Sequence, residues 1–331
     1  MERLIGYTPE EKGEIIHLVE HSDLPVKQTL AELQVSRSTF YEWYRRYLEE
    51  GPEGLAKKKP GRKQFWNRIP DTVNDQIVEL ALEYSEESPR QLAYRFTDKK
   101  GYFVSESTVY RLLKRNDLIQ SPAFEIITAK AKFENPTKRV NEMWQTDFTQ
   151  ILVVGWGWYY LSTVLDDYSR FVISFTLSPT MNATDVEDTL KIALNKTGVK
   201  QVKVYPRPRL LSDNGSAYHS KQLAEFLKPL HIKHIHGRPY HPMTQGKIER
   251  WHRSMKNVIK LDNYYSPDEL ERAIADWVHY YNHNRYHESL ENVTPADVFY
   301  GRDKEVLQKR NLLKEKTMAL RRQNYLQMAG V

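Results

Sequence analysis

Three acidic residues in the second half of the chain occupy positions where an ordinary surface charge is not expected. Asp147 lies inside an apolar, strand-like run, where a charge is disfavoured unless it has a partner or a chemical task. Asp213 follows a short apolar run and precedes a glycine turn, and ligand sites in α/β sheets gather at the carboxyl ends of strands. Glu249 lies early in a segment with helical periodicity. These carboxylates are therefore the first candidates for a reactive site.

Carboxylates that meet at one place repel one another and raise one another's pKa, so they need a cation to stay ionised together. Mg²⁺ suits such a site because it takes carboxylate oxygens while it keeps waters and substrate phosphate oxygens. Two such ions, about 3.5 to 4 Å apart, would activate the attacking oxygen and stabilise the leaving oxygen of an in-line phosphoryl transfer. The three acids thus predict a metal-dependent reaction on a phosphate ester.

The pattern around the three acids predicts a mixed sheet with flanking helices. Runs rich in aromatic and β-branched residues, separated by turn signals, predict strands at 144–154, 158–166, 171–177, 208–212 and 232–236. Apolar residues at helical spacing predict helices at 184–195, 220–230, 244–261 and 267–284. This β-β-β-α-β-α-β order, followed by two helices, predicts an α/β fold.

Two sets of three predicted helices precede the sheet. The first set, over residues 8–50, ends in a helix capped by Ser36, and its last two helices are joined by a tight turn. Such a pair is typical of a helix-turn-helix, whose later helix can enter the DNA major groove. We expect base contacts near its start, from Arg37, Ser38, Thr39 and Tyr41. Phe40, Trp43 and Tyr44 are expected in the core, and an ordinary three-helix bundle is the alternative interpretation.

The second set repeats a motif of the first. Ser-x-Ser-Thr-x-Tyr occurs at 36–41 and again at 105–110, where it opens the last of three predicted helices at 70–84, 89–96 and 105–118. Thr108 and Arg111 are the corresponding candidates for DNA contact. Tandem helix-turn-helix units suit a protein that follows a long DNA site.

The net charge of +6 is concentrated in two segments. Residues 57–68 hold six basic side chains and no acid, and we expect DNA contacts from Lys57, Lys58, Lys59, Arg62 and Lys63. A nuclear localisation signal or a solvated linker are the other interpretations of this cluster. The tail, residues 302–331, carries 8 basic residues against 3 acids and is expected to form a basic amphipathic helix that binds DNA or another protomer.

Length and composition limit the possible classes of protein. A length of 331 residues predicts several domains. The sequence contains no apolar run long enough to span a membrane, and no signal-peptide core follows its first residues. The absence of Cys excludes disulfide frameworks, catalytic thiols and thiolate zinc sites. The expected boundaries are 1–55 and 70–120 for the helix-turn-helix domains, 56–69 and 121–140 for linkers, 141–301 for the α/β core, and 302–331 for the tail.

The spacing of the acids resembles a known pattern. Between Asp147 and Asp213 lie 65 residues, and between Asp213 and Glu249 lie 35, as in the Asp, Asp, 35 residues, Glu pattern of the retroviral integrase superfamily. The motifs at 144–147, 166–170, 212–215, 246–250 and 281–287 resemble the integrase core of bacterial insertion-sequence transposases. The tandem helix-turn-helix units also resemble that group, whereas the zinc-binding domain of retroviral integrases has no counterpart in a chain without Cys.

The resemblance implies an RNase H-like integrase core in which Asp147, Asp213 and Glu249 bind two Mg²⁺ or Mn²⁺ ions. It implies an enzyme that recognises terminal inverted repeats, cuts element ends to free a 3′-hydroxyl and directs that hydroxyl at target DNA. Lys256 lies seven residues after Glu249 on the same helical face and is expected to hold DNA, with Arg250 as a further candidate. The alternatives are a catalytically silent DNA-binding regulator and a nuclease that cuts without joining.

The expected partner is double-stranded DNA, on which a dimer or larger homo-oligomer assembles. No membrane and no small-molecule substrate are expected, and the expected location is the bacterial cytoplasm, with the nucleoid. Two other groups of ionisable residues are interpreted as structural. Asp166 and Asp167 are expected to serve a hairpin turn, and the histidines at 231–236 and 279–287 are expected to serve packing rather than zinc.

Overall fold

The chain forms two compact units, Met1–Phe65 and Trp66–Val331. The computed structural model describes residues 7–22, 24–56, 65–119, 136–199, 207–237 and 245–329. In these ranges no helix combines the length and the apolar character needed to cross a membrane. The finer domain boundaries expected from the sequence stay predictions.

The first unit is a bundle of three helices, α1 (Pro9–Glu20), α2 (Val26–Glu32) and α3 (Arg37–Glu50), followed by a 3₁₀ turn at Gly51–Leu55. Its core contains Ile16, Leu30, Phe40 and Trp43. The three predicted helices and the predicted core positions of Phe40 and Trp43 are confirmed, while Tyr44 is half-buried and donates its hydroxyl to Glu20. Helix α2 ends at Glu32, and Gln34 just beyond it adopts a left-handed conformation with φ of 56°.

The second unit begins with another helical triplet, α4 (Asp71–Glu83), α5 (Pro89–Lys100) and α6 (Glu106–Arg115). Its core contains Ile77, Leu92, Phe96 and Val109. Helix α5 continues four residues beyond the predicted end and stops at Gly101, whose φ of 64° forms a left-handed C-cap. The predicted repetition of the three-helix arrangement is therefore confirmed.

A five-stranded sheet follows in the same unit. Its strands are β1 (Met143–Val153), β2 (Gly157–Asp166), β3 (Val172–Ser178), β4 (Arg209–Ser212) and β5 (His234–His236). They lie in the order β3-β2-β1-β4-β5. The first three strands form an antiparallel meander, and β4 and β5 run parallel to β1. The predicted mixed five-stranded sheet is confirmed.

Helices cover both faces of this sheet: α7 (Ala183–Thr197), α8 (Lys221–Leu227), α9 (Gly246–Ile259) and α10 (Pro267–His283). On one face, Trp144 and Val164 pack with side chains of α7 and α8. On the other face, Ile151 and Leu165 pack with α9 and α10, where Trp251 is 1% exposed. Because the strands alternate their side chains between two buried layers, the unit has a core on each face of the sheet.

Helix α9 is fastened to β1 and to the β2–β3 turn by a buried polar network. The Lys247 ammonium lies 2.5 Å from the Asp167 carboxylate, which also accepts a hydrogen bond from the Gln145 amide at 2.7 Å. The Gln145 carbonyl oxygen in turn accepts from the backbone N–H of Ile248 at 3.1 Å. Asp166 does serve the turn, as predicted, by accepting from Ser169. The sequence interpretation missed the larger role of Asp167, which anchors a helix.

The chain ends in α11 (Pro295–Phe299) and the long α12 (Asp303–Ala329). The Arg310 guanidinium of α12 donates to both carboxylate oxygens of Asp98 on α5, at 2.9 and 2.6 Å. Arg321 donates to the backbone oxygen of Phe103, and Thr317 accepts from the N–H of the same residue. The predicted helix is confirmed, but its buried face is formed by these polar side chains and it packs on its own chain.

Replacing Asp167 with Asn should destabilise the second unit, because it removes the carboxylate with which the buried Lys247 ammonium is paired. Breaking one side of a buried ion pair costs roughly 3 kcal/mol or more, which is a fall in Tm of about 10 °C for a unit of this size. Differential scanning calorimetry measures the change. The control is Asp188→Asn, which removes a partner of Lys191 at the exposed surface and should leave Tm unchanged. Equal Tm values for the two variants would contradict the anchoring role.

Replacing Arg310 with Gln should loosen α12, because the side chain is 7% exposed and its bidentate pairing with Asp98 joins α12 to α5. Hydrogen–deuterium exchange followed by mass spectrometry should show faster exchange in peptides from residues 303–329. The matched control is Arg322→Gln at an exposed position of the same helix, which should exchange like the unmodified protein. Unchanged protection in Arg310→Gln would show that other contacts hold α12.

Candidate active site

The sheet brings Asp147 and Asp213 to equivalent positions on neighbouring strands. Gln145 of β1 pairs with Leu211 of β4 in parallel register, and continuing that register by two residues sets Asp213 opposite Asp147. Neighbouring strands lie about 4.8 Å apart, and residues level with each other point to the same face. Along β1, Asp147 points to the same face as Gln145 and Ile151, which is the face covered by α9. The continued register therefore sets two acids that are separated by 65 residues in the sequence at the same level of the sheet.

Tyr218 lies close to both of these carboxylates. Burial raises the pKa of the Tyr218 hydroxyl well above its ordinary value, and the negative charges of Asp147 and Asp213 raise it further. The side chain is 3% exposed and belongs to the core on the α7 and α8 face. Asp213 itself is exposed just beyond β4 and folds back to accept from the N–H of Gly215 at 2.9 Å.

Glu249 and Asp147 line one cavity of about 400 Å³ between α9 and the middle of β1. Glu249 lies in the first turn of α9 and is exposed. Its carboxylate makes no hydrogen bond or ion pair with any residue in the described ranges. The polar network at Lys247 and Ile248 sets the position of this turn, so the same anchor that attaches α9 also places Glu249 beside β1.

His252 is part of this site and was missed by the sequence analysis. It is 6% exposed, and its Nδ1 atom lies 3.4 Å from an Asp147 carboxylate oxygen. Its Nε2 atom lies 3.4 Å from the hydroxyl oxygen of Thr163, which is the register partner of Asp147 on β2. The spacing offered a signal, because His252 follows Glu249 by three residues and so shares its helical face. The imidazole restricts the orientation of Asp147.

Lys256 lines the cavity of Asp147 and Glu249, one turn beyond His252. Burial lowers the pKa of its ammonium, the nearby Lys260 lowers it further, and the Asp147 carboxylate opposes both effects. The cavity therefore contains two carboxylates and a partly buried cation. Arg250, the other candidate on this helix, lies on a different flank of α9 and does not line this cavity.

The donor set suits a hard cation, but the side chains are not drawn together around one position. Carboxylate oxygens are the ligands that Mg²⁺ and Mn²⁺ prefer. Within the described ranges no group of three or more His, Asp or Glu side chains lies close enough to hold an ion. Asp213 and Glu249 are exposed, and both can turn toward Asp147 without unpacking the core. The type and location of these residues therefore fit a metal site in which the carboxylates reach the ion by rotation of their side chains.

The predicted DNA-contacting residues of the first unit lie at the start of α3. Arg37, Ser38 and Tyr41 are exposed, and Tyr41 is 48% exposed. Thr39 is half-buried, and its N–H donates to the Ser36 hydroxyl at 3.2 Å, so it serves the helix cap. An exposed, basic first turn is the arrangement expected of a helix that reads DNA.

The remaining candidates lie elsewhere in the chain. Thr108, in the first turn of α6, is half-buried and shares a 2.9 Å hydrogen bond with the Ser105 hydroxyl. Arg111 is exposed, and its guanidinium donates to the backbone oxygen of Ser107 at 3.0 Å. The predicted contacts of the basic segment, Lys57, Lys58, Lys59, Arg62 and Lys63, lie outside the described residues.

Four family models match successive parts of the chain. A model described as an integrase core domain matches residues 137–242, which include Asp147 and Asp213. A second model with the same description matches residues 230–295, which include Glu249. A helix-turn-helix domain matches residues 11–63, and a homeodomain-like domain matches residues 39–113. The matches therefore cover both helical triplets and the sheet.

Similar proteins include two bacterial transposases. The transposase InsK assigned to insertion sequence element IS150 of Escherichia coli K12 is 26% identical over 264 residues, which are 79% of this chain and 88% of that protein. The transposase of transposon Tn552 of Staphylococcus aureus is 23% identical over 291 residues, and the match spans 78% of this chain and 59% of that protein.

Among solved structures, the HTLV-2 integrase catalytic core domain in complex with magnesium matches 49% of this chain and 97% of that chain, with 23% identity and a TM-score of 0.39. The integrase-core matches span all three acids, the helix-turn-helix matches precede them, and the relatives that match most of the chain are transposases. The chain therefore combines helix-turn-helix domains with an integrase core domain, and it is similar over most of its length to bacterial transposases.

Proposed function

We propose that this transposase binds the terminal inverted repeats of its element and catalyses metal-dependent DNA strand cleavage followed by strand transfer. One observation carries the proposal. Asp147 of β1 and Glu249 of α9 line a single cavity, and the parallel register of β1 and β4 sets Asp213 beside Asp147. Carboxylates gathered from three distant segments, next to a cation, suit phosphoryl transfer better than they suit a structural role.

In this proposal Asp147, Asp213 and Glu249 hold two Mg²⁺ or Mn²⁺ ions. When bound, the ions would activate the attacking oxygen and neutralise negative charge on the phosphate. The contribution of the protein is to orient the ligands. His252 restrains Asp147 through its contact at 3.4 Å, while the carboxylates of Asp213 and Glu249 are exposed, and Asp213 would turn inward by releasing the N–H of Gly215. This arrangement combines one pre-oriented ligand with two adaptable ones.

Lys256 is proposed to hold a backbone phosphate of the DNA next to the carboxylates. Its ammonium shares the cavity with Asp147 and Glu249, and burial lowers its pKa. A DNA phosphate brought to this ammonium would compensate for the water lost on burial and would favour its charged form. The lysine would therefore oppose the repulsion between the carboxylates and the incoming polyanion.

The helical triplets are proposed to recognise the element ends. The exposed Arg37, Ser38 and Tyr41 at the start of α3 and the exposed Arg111 of α6 are the residues that support this role. The basic segment 57–63 is proposed as an additional contact to the phosphate backbone. Since joining two ends to one target needs two active sites close together, we propose a dimer or larger assembly on DNA.

The two other candidate functions differ in their products. A silent regulator would bind the repeats and leave DNA intact, and a nuclease would release cut ends without joined strands. The presence of Asp147 and Glu249 at one cavity, with Asp213 level with Asp147 when the strand register is continued, argues against the silent regulator, which has no need of these carboxylates. Joined products formed from purified protein, Mg²⁺ and a duplex of the element end would exclude both alternatives.

The variants Asp147→Asn, Asp213→Asn and Glu249→Gln should each lose cleavage and joining while retaining DNA binding. Metal ions contribute several kcal/mol to stabilising the transition state, so we expect a loss of roughly 100- to 1,000-fold in rate. Gel-based cleavage and strand-transfer assays measure the rate, and fluorescence anisotropy measures binding. Asp188→Asn, an exposed acid on α7, is the matched control and should act like the unmodified protein. Retained cleavage in any of the three variants would refute that ligand assignment.

Replacing His252 with Gln should weaken the use of metal more than the binding of DNA, because it frees Asp147 from its restraint. Loss of a side chain that orients a metal ligand typically costs 10- to 100-fold in metal affinity or activity. We therefore expect the Mg²⁺ concentration for half-maximal cleavage to rise by about tenfold, with unchanged DNA affinity. The control is His279→Gln, an exposed histidine on α10. An unchanged Mg²⁺ dependence would mean that His252 serves packing alone.

A further inference from the structure

A second cavity, of about 450 Å³, lies on the other flank of α9. It is lined from α9 by Lys247, Arg250, Trp251 and Ser254, whereas the cavity of the carboxylates is lined by Glu249, His252, Arg253 and Lys256. The two cavities therefore share a helix but no lining residue of it. The second cavity is closed on its other sides by the β2–β3 turn, the start of α5 and the segment after α10.

The lining of the second cavity holds more positive side chains than negative ones. Arg170, Arg250 and Arg285 all line it, and none of the three forms an ion pair with a carboxylate of the described residues. The one acid in the lining is Glu288, which is paired with Arg90. Guanidinium groups stay charged in proteins, so three of them around one space repel one another unless an anion joins them.

The three guanidiniums converge on the same pair of rings. Tyr281 and His287 pack edge to face, with ring centroids 4.8 Å apart. Burial lowers the pKa of His287 to about 3, and the positive charges of Arg285, Arg170 and Arg250 contribute to that fall. Burial raises the pKa of Tyr281, and the same three arginines oppose the rise. All three arginines also line this one cavity, so a single bound group can face them together.

Two further polar groups in this cavity lack hydrogen-bond partners. The indole Nε1 of Trp251 and the Nε2 of His287 are both buried, and neither has a partner among the described residues. An indole N–H can only donate, and a buried donor left unpaired costs about 1 to 3 kcal/mol. An acceptor oxygen entering the cavity would relieve this cost at the same time as it neutralised the arginines.

We propose that this cavity is a binding site for a phosphate group, recognised by Arg170, Arg250 and Arg285. Guanidinium groups match phosphate oxygens because their N–H donors form paired hydrogen bonds to them. The volume exceeds that of a bare phosphate, so the group can enter as part of a nucleotide. It can come from a DNA strand that passes the flank of α9 opposite to the carboxylates, or from a free phosphate compound. Binding of a DNA phosphate at this cavity rests on the proposed function, whereas binding of a free phosphate compound does not.

The test compares Arg250→Gln/Arg285→Gln with Arg272→Gln. Arg250 is exposed and Arg285 is half-buried over the Trp277 ring, so neither is required by a buried ion pair. Arg272 is an exposed arginine on α10, away from both cavities, and its replacement controls for the loss of an arginine charge elsewhere on the surface. Circular dichroism of each purified full chain checks folding. If the double variant does not fold, the exposed Arg250→Gln alone replaces it, with a smaller expected effect.

The first arm measures the rise in Tm caused by inorganic phosphate, with chloride at equal ionic strength as the reference. Phosphate should raise the Tm of the unmodified protein and of Arg272→Gln, and the rise should disappear in the double variant. The second arm measures affinity for a labelled duplex of the element end across a salt series. The double variant should bind about tenfold more weakly, and the slope of log affinity against log salt should shrink by about 1 relative to Arg272→Gln.

Loss of both effects supports a phosphate site used by DNA, and loss of the Tm effect alone supports a site for a free phosphate compound. Equal behaviour of the double variant and Arg272→Gln in both arms overturns the proposal. Neither arm depends on strand cleavage. A failure of the transposition assay therefore leaves the phosphate site testable, and a failure of the phosphate site leaves the assignment of the three carboxylates unaffected.

Discussion

The attachment of α9 to β1 is the constraint on which the candidate site depends. The Gln145 side chain accepts from the N–H of Ile248 and donates to Asp167, which is paired with Lys247. These bonds set both the height and the rotation of the helix against the sheet. A buried polar network of this kind tolerates few alternative arrangements, because each unpaired member would be costly. The position of Glu249 beside β1 follows from it.

The rotation of α9 also directs different side chains into two cavities. One flank presents Glu249, with Asp147 across the cavity from it, and the other presents Arg250 toward two further arginines. Carboxylates that await cations repel a polyanion, whereas the arginine flank attracts one. A DNA-processing enzyme needs both effects close together, since its substrate is negative and its ligands are negative. A single helix satisfies this need by facing two cavities.

Ionic contacts also hold the second helical triplet and the tail within the same unit as the sheet. Arg95 of α5 pairs with Glu87 in a buried contact and donates to the backbone oxygen of Asn284, and Arg310 of α12 pairs with Asp98 of α5. Buried ion pairs contribute little net stability because desolvation offsets their attraction, but they penalise misplaced packing strongly. These ion pairs therefore contribute more to the choice of which helix faces pack together than to the stability of that packing.

The sequence by itself determined the order of the elements and indicated the three acids as candidates, because helical and strand periodicity, caps and a spacing of 35 residues can be read directly along the chain. Only the tertiary structure decided the role of His252, the anchoring by Asp167 and the polar face of the tail helix. Each depends on strand register and helix rotation, which bring together residues far apart in the sequence. The arginine cavity is the clearest case, since Arg170 and Arg285 come from segments 115 positions apart and no local pattern relates them.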